Sequence, residues 1–234
     1  MKVLVHRTRD WLSRRDALVL AGMFTVVLGT ALFFAFANEV LEGDTQKFDE
    51  RMVSALRDPA DLSRGRGPDW FSGMVRDITA LGSIAVVGLL ALVVLGFAAL
   101  RRNLRLTLLM LGAAGGGFLL NNVLKELIDR PRPALPHVAA LRSRSFPSGH
   151  AMVSASVYLS LAAVLATREK RRLAKAYILG VGLLLTLLVG LSRVYLGYHY
   201  PTDVLAGWLA GLIWAVLFAL ITRAMFGAHA APEA

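Results

Sequence analysis

The chain has 234 residues, 56% of them hydrophobic and 18% charged, with a formal net charge of +10. That is too apolar for an ordinary soluble domain, and the length suits a single membrane domain over residues 1–234. The absence of cysteine excludes disulfides, thiolate metal sites and cysteine nucleophiles, and leaves the redox compartment open.

The first 16 residues form a basic leader with Lys2, Arg7, Arg9, Arg14 and Arg15. The apolar run Ala17–Ala37 follows. A signal peptide shares this pattern, but the run is long for one and no small-x-small cleavage site stands out, so it reads as a retained helix. Five more runs approach the length a bilayer core requires: Leu81–Leu100, Leu106–Leu124, His150–Thr167, Ala176–Ser192 and Val204–Thr222. The fold class is therefore all-α, a polytopic membrane protein with six transmembrane helices.

The basic residues collect in alternate connections. Arg101, Arg102 and Arg105 lie between the second and third runs, and Arg168, Lys170, Arg171, Arg172 and Lys175 between the fourth and fifth. The positive-inside rule places these segments, both termini and the short tail 227–234 in the cytoplasm. The excess charge thus reads as a topology signal, and no nucleic-acid partner is expected.

Residues 38–80 form the first outer segment. Phe48, Met52, Val53 and Leu56 share one helical face, and Trp70, Phe71, Met74, Val75 and Ile78 another. Two short interfacial helices are expected there, either as a surface connection or as a substrate guide. Gly112–Gly117 and the pair Gly207 and Gly211 read as close helix packing, and Asn121 and Asn122 as interhelical hydrogen-bonding residues.

Three polar stretches stand at helix ends on the same outer side: "KELIDRPRP", "SFPSGH" and "SRVYLGYHYPTD". They contain Lys125, Arg130 and Arg132; Ser145, Ser148, Gly149 and His150; and Ser192, Arg193, His199 and Asp203. Lys125, Arg132 and Arg193 would repel one another unless an anion lay between them, and the arginine fork suits phosphate oxygens. Ser148 and Gly149 open a helix, whose free N–H groups and dipole also favour an anion. The His199–Asp203 spacing allows the carboxylate to hold Nδ1–H, leaving Nε2 as a nucleophile. His150 can protonate a leaving oxygen. Singly, each residue has a plainer reading as an interfacial anchor, a helix cap or a structural histidine. Together, at three helix ends on one side, they read as a phosphoryl-transfer pocket.

These three segments resemble the signature of the type 2 phosphatidic acid phosphatase superfamily. Lys125 with Arg132-Pro133 looks like its first motif, Pro147 to His150 its second, and Ser192-Arg193 with His199 and Asp203 its third. The resemblance implies His199 as nucleophile, Asp203 as its orienting carboxylate and His150 as the acid that later activates water. It implies Lys125, Arg132, Ser148, Gly149 and Arg193 as the phosphate cradle, with no metal and no cofactor.

The expected function is hydrolysis of a phosphate monoester or pyrophosphate on a lipid headgroup, such as phosphatidic acid, phosphatidylglycerol phosphate, undecaprenyl pyrophosphate or a lipid A phosphate. The pocket would face the periplasm or its equivalent, and a bacterial inner membrane is the expected location. A phosphotransferase would use the same phosphohistidine. A vanadate-dependent haloperoxidase shares this pocket by resemblance, but those enzymes are soluble and six spans argue against one, and a non-catalytic lipid-binding protein would not need the His–Asp pair.

Overall fold

The computed structural model describes residues 14–139 and 143–226. Nearly all of the basic leader 1–16 and the whole tail 227–234 lie outside those residues. The helices in chain order are α1 (Arg14–Glu42), α2 (Gln46–Ala55), α3 (Asp69–Ala80), α4 (Ile84–Leu100), α5 (Leu104–Leu127), α6 (Gly149–Arg168), α7 (Arg172–Tyr195) and α8 (Pro201–Phe226). Among the described residues there is no strand, only an isolated antiparallel bridge between Arg57 and Gly65.

Five helices, α1, α5, α6, α7 and α8, are long and apolar enough to cross a membrane. The second expected span differs from the sequence reading. It begins at Ile84, where the Ser83 hydroxyl accepts the Val86 N–H and caps the helix, and it runs for 17 residues. It passes as a sixth span only when joined to α3, from which it bends by 42°. At about 1.5 Å per residue, α4 alone reaches roughly 25 Å, just under a bilayer core.

Helix α6 is the hub, packed against α7 and α8 and also touching α5 and α4. Its exposed surface is small because the sequence spends Ala151, Ser154, Ala155, Ser156, Ser160 and Ala162 on it, all buried. The outer helices instead turn large apolar groups outward, such as Phe24 and Val27 on α1 and Leu89 and Leu92 on α4. A lipid solvent rewards this inversion of the soluble pattern.

Small residues decide how closely the helices approach. A Cβ on Gly207 would lie 2.7 Å from the Ser148 carbonyl oxygen, and one on Gly211 would lie 2.4 Å from that of Met152. These contacts rise in step along both helices, so α6 and α8 run parallel with backbones nearly touching. The glycine-rich run at Gly112–Gly116 forms a π-turn inside α5. Such a turn frees carbonyl groups. Here Trp214 Nε1–H donates to the Gly112 carbonyl at 2.8 Å and the Ser156 hydroxyl to the Ala113 carbonyl at 2.7 Å. The rings of Phe218 and Trp214 fill the space over Gly112 and Gly116.

The expected interhelical bonds of Asn121 and Asn122 are not found among the described residues. Asn121 is buried against Gly149, its Oδ1 without a partner, and Asn122 faces outward. The outer helices also differ in detail from the sequence reading. On α2 the buried positions are Asp49 and Val53, whereas Phe48 and Met52 are exposed. Asp49 is drawn inward by ionic partners, which apolar periodicity cannot register.

Candidate active site

The chain positions the three motifs by different means. Lys125 lies in the last turn of α5, held by its Nζ–H donating to the Arg144 carbonyl at 2.9 Å. Arg132 follows in the proline-punctuated loop. Its Nε–H donates to the Ser143 carbonyl at 2.8 Å and its Nη1–H to the Tyr198 carbonyl at 2.7 Å. Arg193 is buried in the last turn of α7, its Cζ 4.4 Å from the centre of the Tyr198 ring and its Nη1 3.3 Å from the Thr79 hydroxyl. Gly197, at φ +73°, permits the turn that returns the chain from α7 to α8 and sets His199 inside.

His199 is 1% exposed. Its Nε2 lies 3.4 Å from Arg132 Nη1, and its Nδ1 lies 3.4 Å from Asp203 Oδ2. An arginine can only donate, so Nε2 carries the lone pair and the ring proton sits on Nδ1, toward Asp203. The Nδ1 contact is too long and misaligned to count as a formed hydrogen bond. Burial, and then the charges of Arg193, Arg132 and Lys125, hold the His199 pKa well below the ordinary imidazole value, so the ring is neutral. Asp203 is fully buried; its Oδ2 accepts the Tyr200 N–H at 2.9 Å and its Oδ1 accepts from Arg130 at 2.6 Å.

His150, in the first turn of α6, lies within Coulomb range of Arg193, His199, Lys125 and Arg132. Gly82 presses on it from the α3–α4 corner; a Cβ there would be 3.4 Å from the His150 Cδ2. Ser148 occupies the cap position of α6, yet its buried hydroxyl makes no cap bond and has no partner. Arg193 Nε is also buried without a partner. The Ser148 N–H donates to the Asp203 carbonyl at 2.9 Å, tying the second motif to the third. Thus the eight residues singled out from the sequence stand at one end of the bundle. Three cations, two imidazoles and two unpartnered donors can there surround a tetrahedral anion.

Sequence reasoning named Arg130 without giving it a role and passed over Asp49 and Thr202; all three are buried beside Asp203 and bonded to it or to one another. The signal for Arg130 was present in "DRPRP", where a second arginine stands two residues before Arg132. Nothing local marked Asp49. A cavity of about 420 Å³ lies at the other end of the bundle, among Arg105, Arg168, Leu109, Val216 and Thr222. Its lining holds neither a histidine nor a carboxylate.

The fold and this end of the bundle define an integral membrane protein with a cationic, histidine-bearing pocket. Residues 104–226 match the PAP2 superfamily. The chain belongs to that superfamily. It is 39% identical over 149 residues to phosphatidylglycerophosphatase B of Bacillus subtilis, covering 62% of this chain and 71% of the relative. The crystal structure of the transmembrane PAP2-type phosphatidylglycerolphosphate phosphatase from Bacillus subtilis superposes with a TM-score of 0.73 at 29% identity, over 90% of this chain and 100% of that one. Aquifex aeolicus LpxE superposes with a TM-score of 0.53 at 27% identity, over 73% of this chain and 92% of that one.

Proposed function

We propose that the protein is a membrane lipid phosphatase that hydrolyses a phosphate monoester or diphosphate on a lipid headgroup through a phosphohistidine. The observation that carries this reading is the setting of His199. Its Nε2 lone pair points to the cations, its Nδ1 lies beside Asp203, and burial keeps the ring neutral. The two Bacillus subtilis proteins are named for phosphatidylglycerophosphate, which makes a phosphoglycerol lipid the first substrate to assay.

Lys125, Arg132 and Arg193, with the Ser148 hydroxyl and the Gly149 N–H, hold the phosphate oxygens. His199 Nε2 attacks phosphorus as the ester P–O bond breaks, and the electron pair leaves with the lipid oxygen. His150 gives that oxygen a proton. The cations neutralise charge on the three equatorial oxygens, while Asp203 stabilises the positive imidazole. His150 then takes a proton from water, whose oxygen attacks phosphorus. The N–P bond breaks, returning its electron pair to Nε2 and releasing inorganic phosphate.

Arg101, Arg102, Arg105 and Arg168–Lys175 mark the opposite end, so the positive-inside rule supports an outward-facing pocket with both termini in the cytoplasm. The test uses purified protein in detergent with short-chain phosphatidylglycerophosphate and phosphatidic acid. A labelled phosphoenzyme, stable to base and labile to acid, should form and be absent in His199→Ala, which should also lack turnover. Asp203→Asn should lose about a hundredfold or more in kcat. Turnover in His199→Ala at the wild-type rate would refute the mechanism.

A further inference from the structure

Arg130 is 5% exposed, and its guanidinium bridges two carboxylates that are themselves fully buried. Nη1 donates to Asp203 Oδ1 at 2.6 Å and to the Thr202 hydroxyl at 2.8 Å, while Nη2 donates to Asp49 Oδ2 at 2.6 Å. The Tyr200 ring lies against it, its centre 4.5 Å from Cζ. Asp49 completes a ring of contacts: its Oδ1 accepts the Thr202 N–H at 3.1 Å and its Oδ2 accepts the Thr202 hydroxyl. Three parts of the chain close on one another here: outer helix α2, the loop after α5 and the first turn of α8.

The arrangement is more specific than charge neutralisation requires. Two buried carboxylates repel, and one cation between them would relieve that. A planar fork adds direction, because it fixes the angle at which each carboxylate is held. Asp203 has one oxygen on Arg130 and the other on the Tyr200 N–H. With both oxygens anchored the carboxylate cannot rotate, and Oδ2 stays on the Nδ1 side of His199. Asp49 performs the same service for Arg130, stopping the guanidinium from swinging toward the phosphate cations' site.

We propose that Asp49 and Arg130 form a positioning clamp on Asp203, so that the outer-segment helix α2 is part of the catalytic apparatus. The proposal rests on the reading of His199 and Asp203 given above. Both clamp residues act through Asp203 and neither touches the phosphate.

The test compares Arg130→Lys, Asp49→Asn and Asp203→Asn, and the Arg130→Lys/Asp203→Asn double variant, in purified full-length protein. Phosphate release from dioctanoyl phosphatidic acid, inhibition by vanadate and thermal melting are measured on each. Lysine keeps the charge but cannot span both carboxylates, so kcat should fall about 30-fold while KM and the vanadate inhibition constant stay within about threefold. In the Asp203→Asn background the same change should cost less than about threefold, because the residue it acts through is already disabled. Asp49→Asn keeps the shape and leaves Arg130 and Asp203 as a balanced pair. It should lose about fivefold in kcat with KM unchanged, and it serves as the reading should Arg130→Lys fail to fold.

A purely structural ion pair predicts lower melting temperatures with normal kcat per folded molecule, and that result would overturn the clamp. So would a full multiplicative cost in the double variant, or a vanadate constant that weakens in step with kcat. If His199→Ala and Asp203→Asn both retain turnover, the phosphohistidine reading fails first. If those two are inactive while Arg130→Lys and Asp49→Asn are normal, the clamp alone fails.

Discussion

Gly211→Ala should damage both stability and turnover, although Gly211 touches no group of the active site. Its added Cβ would sit 2.4 Å from the Met152 carbonyl oxygen and 2.7 Å from the Ala155 Cβ. The first neighbour is helix backbone, which cannot rotate away. The closest comfortable carbon–oxygen approach is about 3.3 Å. Helices α6 and α8 must therefore part locally by up to about 0.9 Å, the difference between 3.3 and the 2.4 Å found here. Overpacking of this kind costs about 1–3 kcal/mol. The same two helices carry His150 and Asp203, and the Ser148 N–H to Asp203 carbonyl bond joins them two turns away. A displacement near 1 Å in catalytic geometry costs on the order of a hundredfold in rate; attenuated over two turns, a fall of about tenfold in kcat is expected. Melting and phosphate release in detergent measure the two effects. Gly180→Ala is the control, since nothing lies within 4 Å of a Cβ there. On an exposed helix position it should be neutral or stabilising by up to about 1 kcal/mol. Wild-type melting and wild-type kcat in Gly211→Ala would refute the claim that the α6–α8 backbone contact sets the site.

Turnover should survive excess EDTA, and vanadate should inhibit by occupying the cationic cradle; loss of activity restored by Mg²⁺ or Zn²⁺ would contradict the side-chain mechanism. For pH, the folded His199 pKa lies well below the unfolded value of about 6.5. The unfolded chain therefore binds the extra proton as pH falls below about 6.5, so the stability from a neutral His199 is complete above that pH and is lost below it, by at most about 1.4 kcal/mol per pH unit. His199→Asn should flatten the acid side of the melting curve measured from about pH 7.5 to about pH 5, and an unchanged slope would show that His199 is not held neutral. Topology can be tested because the chain has no cysteine. A cysteine replacing Ala139 should react with an impermeant maleimide on intact cells, and one replacing Ala174 only after lysis; the reverse pattern would turn the pocket to the cytoplasm.

The sequence alone carried the membrane bundle and the polar residues that meet at one end of it. Spans are written as long apolar runs because lipid cannot satisfy a backbone that lacks its own hydrogen bonds, and that requirement is local. The pocket was legible because Lys125, Arg132, Ser148, Gly149, His150, Arg193, His199 and Asp203 are unusual residues at helix ends in a chain otherwise apolar. Tertiary structure alone decided how closely the helices stand. Gly207 and Gly211 showed that a close contact was possible, but not that its partner would be the backbone at Ser148 and Met152. Nor could the order of residues show that α4 would start at Ile84 after a 42° bend. Asp49 is the clearest case. On α2 it looks like one more acid on a polar face, and it became a buried partner of Arg130 through contacts 81 positions away in the chain. Periodicity reports the side of a helix that avoids water, whereas an ion pair between distant segments exists only once the chain has brought both charges to one place.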